Sequence, residues 1–210
     1  MEDNNKPTLW YFADPMCSWC WGFSPVIAEV KKNYAEQINI ALVMGGLQAG
    51  ETNVLSESSR EEIFHHWHQV EKMTGQSFLF DNALADGFIY NTEPACRAVI
   101  TVSLIDPTNK FAYLNAVQTA FYTKNEDVTQ TDCLQQLAVD CGIEAEEFKA
   151  LFLDEKQRET AVKNFQFSQK AGVTGFPTLI LNLDEQLHDI TRGYQNYEKI
   201  AASLDKFLAV

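Results

Sequence analysis

Residues 15–23 read P-M-C-S-W-C-W-G-F, two cysteines three positions apart among aromatics. Their meaning depends on what flanks them. T-L-W-Y-F-A, residues 8–13, is an apolar run of strand length. From about Trp19 to Tyr34 the pattern is helical, with Pro25 tolerated near the helix start. I-N-I-A-L-V-M, residues 38–44, reads as a second strand closed by Gly45 and Gly46. Strand, helix and strand in this order predict a parallel pair joined by a right-handed crossover, with the cysteines at the start of the crossover helix.

From about Ser58 to Gly172 the pattern stays helical. R-E-E-I-F-H-H-W-H-Q-V-E-K-M ends at Gly75, and T-E-P-A-C-R-A-V-I-T-V-S-L-I opens with Thr92 as N-cap and Pro94 in the first turn. Pro107 is expected to start the next helix, and Thr131 or Asp132 to cap the one that stops at Gly142. A long helix from about Glu155 ends at Gly172. Strands return at 178–183 and 186–192, a hairpin across Asp184 and Glu185, before an amphipathic helix from Tyr197. The expected class is α/β: a discontinuous sheet-bearing domain, 1–57 and 173–210, with a helical domain, 58–172, inserted so that it covers the dithiol face. No Pro/Gly/Ser-rich linker flanks the insertion.

At 210 residues, 46% hydrophobic and 12% aromatic, the composition is that of a globular chain with a sizeable core. A net charge of −13 argues against nucleic acid and against an anionic membrane surface, because both bind through Lys and Arg. The first residues carry acid where a secretory signal needs base, and nowhere do 18 apolar residues run together. With Met1 as the natural start, the expected location is cytoplasmic.

Five cysteines are an odd number at low density, unlike a secreted disulfide scaffold. Cys96, Cys133 and Cys141 read by default as free buried thiols, the last two as core thiols or a helix end. Cys133 and Cys141 are eight residues apart on a helical pattern, about 12 Å, beyond the roughly 7 Å Cα separation a disulfide tolerates. Three readings of Cys17 and Cys20 remain. Zinc needs four ligands, and the only candidates to complete a set are His65, His66 and His68, whose helical offsets scatter the rings over what reads as a solvated face. A passive disulfide fits poorly without an export signal. An active dithiol has a physical logic: helix N–H groups and the helix dipole stabilise a thiolate on Cys17, and Cys20, one turn on, is placed to resolve a mixed disulfide.

The segment D-P-M-C-S-W-C-W-G-F, the helical insertion and the late V-T-G-F-P-T together resemble the DsbA-like branch of the thioredoxin superfamily. The nearest members are of FrnE type or cytoplasmic disulfide-isomerase-like proteins, related to 2-hydroxychromene-2-carboxylate isomerases and kappa-class glutathione transferases. The resemblance extends over nearly the whole chain in element order. It implies a thioredoxin-like fold with the helical domain between its βαβ and ββα halves. It further implies that Cys17 attacks, that Cys20 resolves, and that Pro177 is a cis-proline beside the dithiol, with Phe176 offering backbone groups to an extended substrate. N-T-E-P-A-C-R, residues 91–97, resembles a segment near the active site in the isomerase and transferase relatives, which makes Asn91 and Thr92 substrate-binding candidates; a plain helix cap explains Thr92 equally well.

The departures matter as well. Ser18-Trp19 is not the Pro-His of strongly oxidising members, so a very low thiolate pKa is not implied. The isomerase and transferase relatives commonly carry serine where Cys17 stands, so two cysteines favour dithiol exchange. Ser18 is either a hydrogen-bond donor to the Cys17 thiolate or an exposed turn serine. Trp19 and Phe176 either form an apolar rim for substrate or simply pack, whereas Trp21 and Phe23 read as core. Asp14 either caps the turn or opposes thiolate formation. The resulting expectation is a thiol–disulfide oxidoreductase, reductase or isomerase, acting on a protein or small-molecule disulfide, with its redox partner unassigned. It requires no organic cofactor and no metal, and glutathione stays open as a co-substrate. The alternatives are a glutathione-dependent isomerase or transferase on the same fold, and a metal- or client-binding module.

Overall fold

A computed structural model describes residues 6–208; residues 1–5, the head of the stretch weighed above as an export signal, and 209–210 lie outside it. The elements are β1 (Thr8–Ala13), α1 (Ser18–Tyr34), β2 (Asn39–Met44), α2 (Glu57–Thr74), α3 (Glu93–Ile105), α4 (Lys110–Lys124), α5 (Thr131–Asp140), α6 (Ala145–Leu153), α7 (Glu155–Lys170), β3 (Thr178–Leu183), β4 (Gln186–Arg192) and α8 (Tyr197–Leu208). The early and late strands share one mixed sheet in the order β2-β1-β3-β4. β1 pairs in parallel with β2 and antiparallel with β3, and β3 and β4 form the hairpin. Asp184 and Glu185 both take positive φ, 50° and 63°, as a two-residue turn matched to strand twist requires.

Alternation along β1 sorts the core into two layers. Leu9, Tyr11 and Ala13 face α1 and α8, where Phe23, Ile27, Val30, Ile200 and Leu204 pack with them. Trp10 and Phe12 face the other way, with Val43 and Ile180. There Phe167 of α7 sets its ring 5.0 Å from Trp10 and 5.7 Å from Phe12, so α7 covers the second face of the sheet. Trp67 of α2 is 1% exposed and joins α2 to α4, with ring centroids of Phe121 and Tyr122 at 5.9 and 5.2 Å.

Several helix starts differ from expectation. Thr92 stands at the N-cap position of α3, but its side chain makes no cap hydrogen bond. Asn91 does that work, its Oδ1 accepting from the Glu93 N–H at 3.0 Å. Pro107 lies in a turn ahead of α4, because the Asp106 carboxylate accepts from the Thr108 N–H and hydroxyl and holds that turn closed. The cap of α5 is Gln130 rather than Thr131 or Asp132. Ser56 caps α2 through its hydroxyl, and Gly75 ends that helix at φ 76° as read. Among the described residues no helix is long and apolar enough to cross a membrane.

The helix that carries the cysteines is seated against α2 through Gly22. A Cβ there would meet Val70 Cγ1 at 2.7 Å and Thr74 Cγ2 at 2.9 Å. Val70 is fully buried and β-branched, and Thr74 is held by its hydroxyl bond to the Val70 carbonyl, so neither can step aside. Gly22→Ala should gain about 1 kcal/mol of helix propensity but lose about 1–3 kcal/mol to overpacking. A net loss of stability is expected in urea unfolding; a stabilised variant would show that the α1–α2 contact is loose.

Candidate active site

β1 runs straight into the dithiol turn. The Cys17 N–H bonds the Asp14 carbonyl at 3.1 Å, and the Cys17 carbonyl accepts from the N–H groups of Cys20 and Trp21 at 2.9 and 3.1 Å. Cys17 is thus the N-cap residue of α1, in extended conformation, and Cys20 sits in the first turn. Both are thiols. Cys17 is 6% exposed and lines a cleft of about 870 Å³, whereas Cys20 is fully buried behind it. The Phe176–Pro177 peptide bond is cis, and the Phe176 carbonyl accepts from Cys17 Sγ at 3.5 Å. Burial, followed by the hydrogen bond and charge of Cys17, pushes the Cys20 thiol well up from its ordinary pKa.

Asp14 is wholly buried and fully engaged. Its Oδ1 accepts from the Met16 N–H at 2.9 Å, and its Oδ2 from the Leu47 N–H at 2.7 Å and from Cys96 Sγ at 3.3 Å. Asp14 therefore caps the turn, the first of the two sequence alternatives. Its own pKa is raised by burial, which outweighs the lowering by the Leu47 and Met16 N–H groups and by Thr92 and Cys96.

Asn91 and Thr92 act on the cleft from behind. Thr92 is fully buried, its Oγ1 accepting from the Gln48 N–H at 3.2 Å, and Asn91 Oδ1 accepts from the Gly50 N–H at 3.0 Å. They hold the segment 47–50, part of the cleft wall, and neither lines the cleft itself. Trp19 and Phe176 do line it and are half-buried. Trp19 sets its ring 6.0 Å from Tyr194. The Phe176 ring lies over Gly45, where a Cβ would come within 2.0 Å of a ring carbon. Ser18 is not the exposed turn serine of the second alternative: it is 9% exposed and on the cleft wall. Trp21 and Phe23 are core, as read.

Three functional neighbours escaped the sequence reading. Tyr90 donates its hydroxyl to the Met16 carbonyl and lines the cleft. Cys96 reaches Asp14 from α3, one turn after Thr92. Tyr11 packs beside Cys20 from the sheet, and burial holds its hydroxyl well above the usual tyrosine range. Only the i, i+4 spacing of Thr92 and Cys96 was a usable signal; the rest needs the fold. On α2, His65 pairs with Gln69 and His68 stacks on Phe80 with ring centroids 4.1 Å apart. Among the described residues no three His, Cys, Asp or Glu side chains gather as a metal site would need.

The DSBA-like thioredoxin domain model matches residues 8–205. The chain belongs to that family. A candidate protein disulfide isomerase from Nitrosomonas europaea is 43% identical, with a TM-score of 0.93 over 97% of this chain and 98% of that one. The cytosolic disulfide reductase DsbM from Pseudomonas aeruginosa is 26% identical, with a TM-score of 0.80 over 96% and 98%, and its structure with GSH gives 0.79. The ClpXP adapter protein SpxH of Halalkalibacterium halodurans is 23% identical over 201 residues, 92% of this chain and 65% of SpxH. The chain thus spans less than two thirds of that relative's length. The thioredoxin-like DsbA fold expected from the motifs is the fold of this chain.

Asp14→Asn keeps the size of the side chain but turns an amide N–H toward a backbone donor, and should cost about 1–3 kcal/mol at neutral pH. Because the folded-state pKa of Asp14 is raised, its contribution is fully present below the unfolded carboxylate pKa and is lost as pH rises through the folded value. The gap between wild type and Asp14→Asn in urea unfolding should therefore narrow from acid to neutral pH. A gap that widens would refute the assignment.

Proposed function

We propose that this DsbA-like chain is a thiol–disulfide oxidoreductase in which Cys17 attacks a substrate disulfide and Cys20 resolves the product. One observation carries the reading: the first sulfur caps a helix at the mouth of a cleft while the second lies one turn deeper, out of solvent. The Cys17 thiolate attacks one sulfur of the substrate, forming a mixed disulfide and releasing the other as a thiolate that takes up a proton. Cys20, once deprotonated, attacks Cys17 Sγ, which closes the Cys17–Cys20 disulfide and releases the second substrate thiol. Two electrons pass from the dithiol to the substrate, and an external dithiol returns them. The cleft suits an extended polypeptide: the Phe176 carbonyl can accept a substrate N–H once the Cys17 thiol is engaged, and Trp19, Leu47 and Val54 offer apolar surface. Pro177, without an N–H, leaves no donor to satisfy beside the sulfurs. In this reading segments 1–57 and 173–210 carry the chemistry, and the helices between them wall the cleft.

The 43% identical disulfide-isomerase candidate and the cytosolic reductase DsbM support thiol exchange, and DsbM supports a cytoplasmic setting, where reduction or isomerisation outruns oxidation. The DsbM structure with GSH favours one second reading, glutathione as co-substrate at the same cleft. Turnover of glutathione with a small electrophile, compared in wild type and Cys20→Ser, separates the two: retention without Cys20 favours the transferase reading.

Wild type should catalyse dithiol-driven reduction of a model protein disulfide; Cys17→Ser should abolish this, and Cys20→Ser should accumulate mixed disulfides. Equal turnover by wild type and Cys17→Ser would sink the mechanism. In timed alkylation of the reduced protein Cys17 should label first, ahead of Cys96 and of Cys133, which burial and Glu126 push up to about 12. Because burial raises the Cys20 pKa, the decay of a mixed disulfide formed by rapid mixing on the wild-type protein, where Cys20 is present, should quicken by about tenfold per pH unit through the neutral range. A pH-independent decay would show that deprotonation of Cys20 does not limit resolution.

A further inference from the structure

The cleft that holds Cys17 carries charge of one sign. Besides the dithiol turn and the loop before Pro177, it is lined by the segment after β2 and by one face of α2. On α2, Ser59, Glu62, Ile63 and His66 follow the i, i+3, i+4, i+7 spacing that brings side chains to a common face. On the other segment Glu51 stands between Leu47 and Val54, two aliphatic side chains 42% and 57% exposed. Two carboxylates thus reach an otherwise largely apolar cleft. Among the described residues no lysine or arginine lines it, and His66 is its one basic side chain.

Neither carboxylate is neutralised by a cation among the described residues. Glu51 Oε1 accepts from the Thr52 N–H, the Asn53 N–H and the Asn53 side-chain amide, each at 2.8 Å. The Asn53 N–H and then the Thr52 N–H hold this carboxyl below its usual pKa, so the group is both ionised and fixed in place. Its Oε2 makes no hydrogen bond among the described residues. Glu62 is exposed on the α2 face. The basic side chain nearest to it along the helix, Arg60, is engaged elsewhere, with Nη2 3.1 Å from Asp86. Fixed charges of one sign between apolar walls focus their field on the opening between them. The overall charge of −13 adds to that field rather than offsetting it.

We propose that, on the thiol-exchange reading above, the cleft selects cationic substrates: extended polypeptides whose reacting cysteine is flanked by lysine or arginine. Apolar side chains of the substrate rest on Leu47, Val54 and Trp19, and its ammonium or guanidinium groups meet Glu51 and Glu62. The same two charges oppose an anionic disulfide such as oxidised glutathione, each half of which brings two carboxylates against one ammonium. Attraction between exposed charges acts mainly on encounter and weakens with salt, so the selectivity falls on KM rather than on kcat.

Two labelled peptides test this by fluorescence anisotropy on the reduced full chain at about pH 8, above the ordinary histidine range. Both share one apolar frame around a central serine, which stands in for cysteine so that binding is read without exchange; one carries lysine on each side of it, the other glutamate. The lysine peptide should bind about threefold to tenfold tighter, the scale of two exposed ion pairs. The ratio should shrink toward parity in about 0.5 M salt, where screening sets in within roughly 4 Å. Glu51→Gln keeps an oxygen for the Thr52 and Asn53 donors while removing the charge, and Glu62→Gln changes an exposed side chain; the double variant should erase the preference. Equal affinities, a tighter glutamate peptide, no binding of either peptide, or a preference that survives in the double variant would overturn the proposal. Turnover of hydroxyethyl disulfide, which is small and uncharged, reports on the chemistry separately. If it is turned over while the peptides bind equally, the charge selectivity falls and the exchange reading stands; if it is not turned over while the lysine preference holds, the exchange reading falls and the selectivity of the cleft stands.

Discussion

The Asp14 carboxylate is the point on which the site depends. Two backbone N–H groups and a thiol converge on it from three parts of the chain: the dithiol turn, the segment after β2 and the start of α3. A buried carboxylate is tolerated only when its oxygens are met in this way, and each partner in turn is held in place by the charge. The turn that sets the angle of Cys17 and the wall that faces it therefore share one anchor. Asn91 and Thr92 extend the same arrangement, gripping the segment 47–50 from α3.

That anchor has an electrostatic consequence. A negative group in the interior opposes a second one, and Cys20, without solvent, is held as a thiol by burial first and by its neighbours after. Cys17 has the helix N-terminus and the cleft instead. The difference between two cysteines three residues apart is thus environmental, and in the proposed reaction it sets their order of action: the sulfur at the mouth would meet the substrate, and the buried one would respond once a mixed disulfide has formed. Tyr11 completes the enclosure of Cys20 from the sheet side.

The fold supports this with two opposed faces of β1. One face packs the dithiol helix; the other is covered by α7, whose Phe167 meets Trp10 and Phe12. The close approaches that matter most occur at glycines: Gly22 lets α1 lie on α2, and Gly45 lets the Phe176 ring cover the end of β2. At both places a side chain would move a wall of the site rather than merely fill space.

Local patterning alone determined the element order, the mixed sheet with its late hairpin, and the position of both cysteines at the start of a helix. Those features follow from period and punctuation: strand-length apolar runs, helical stripes, and glycines at helix ends. The DsbA-like resemblance rested on the same short stretches around Cys17 and Pro177. What only the tertiary structure decided is which side chains from distant segments meet. Helix capping at Asn91 rather than Thr92 turned on a choice between two neighbouring acceptors, and the Thr92 hydroxyl was already committed to the Gln48 N–H. Tyr90 at Met16, Cys96 at Asp14 and Tyr11 at Cys20 are contacts across layers, and each looks like plain core in one dimension.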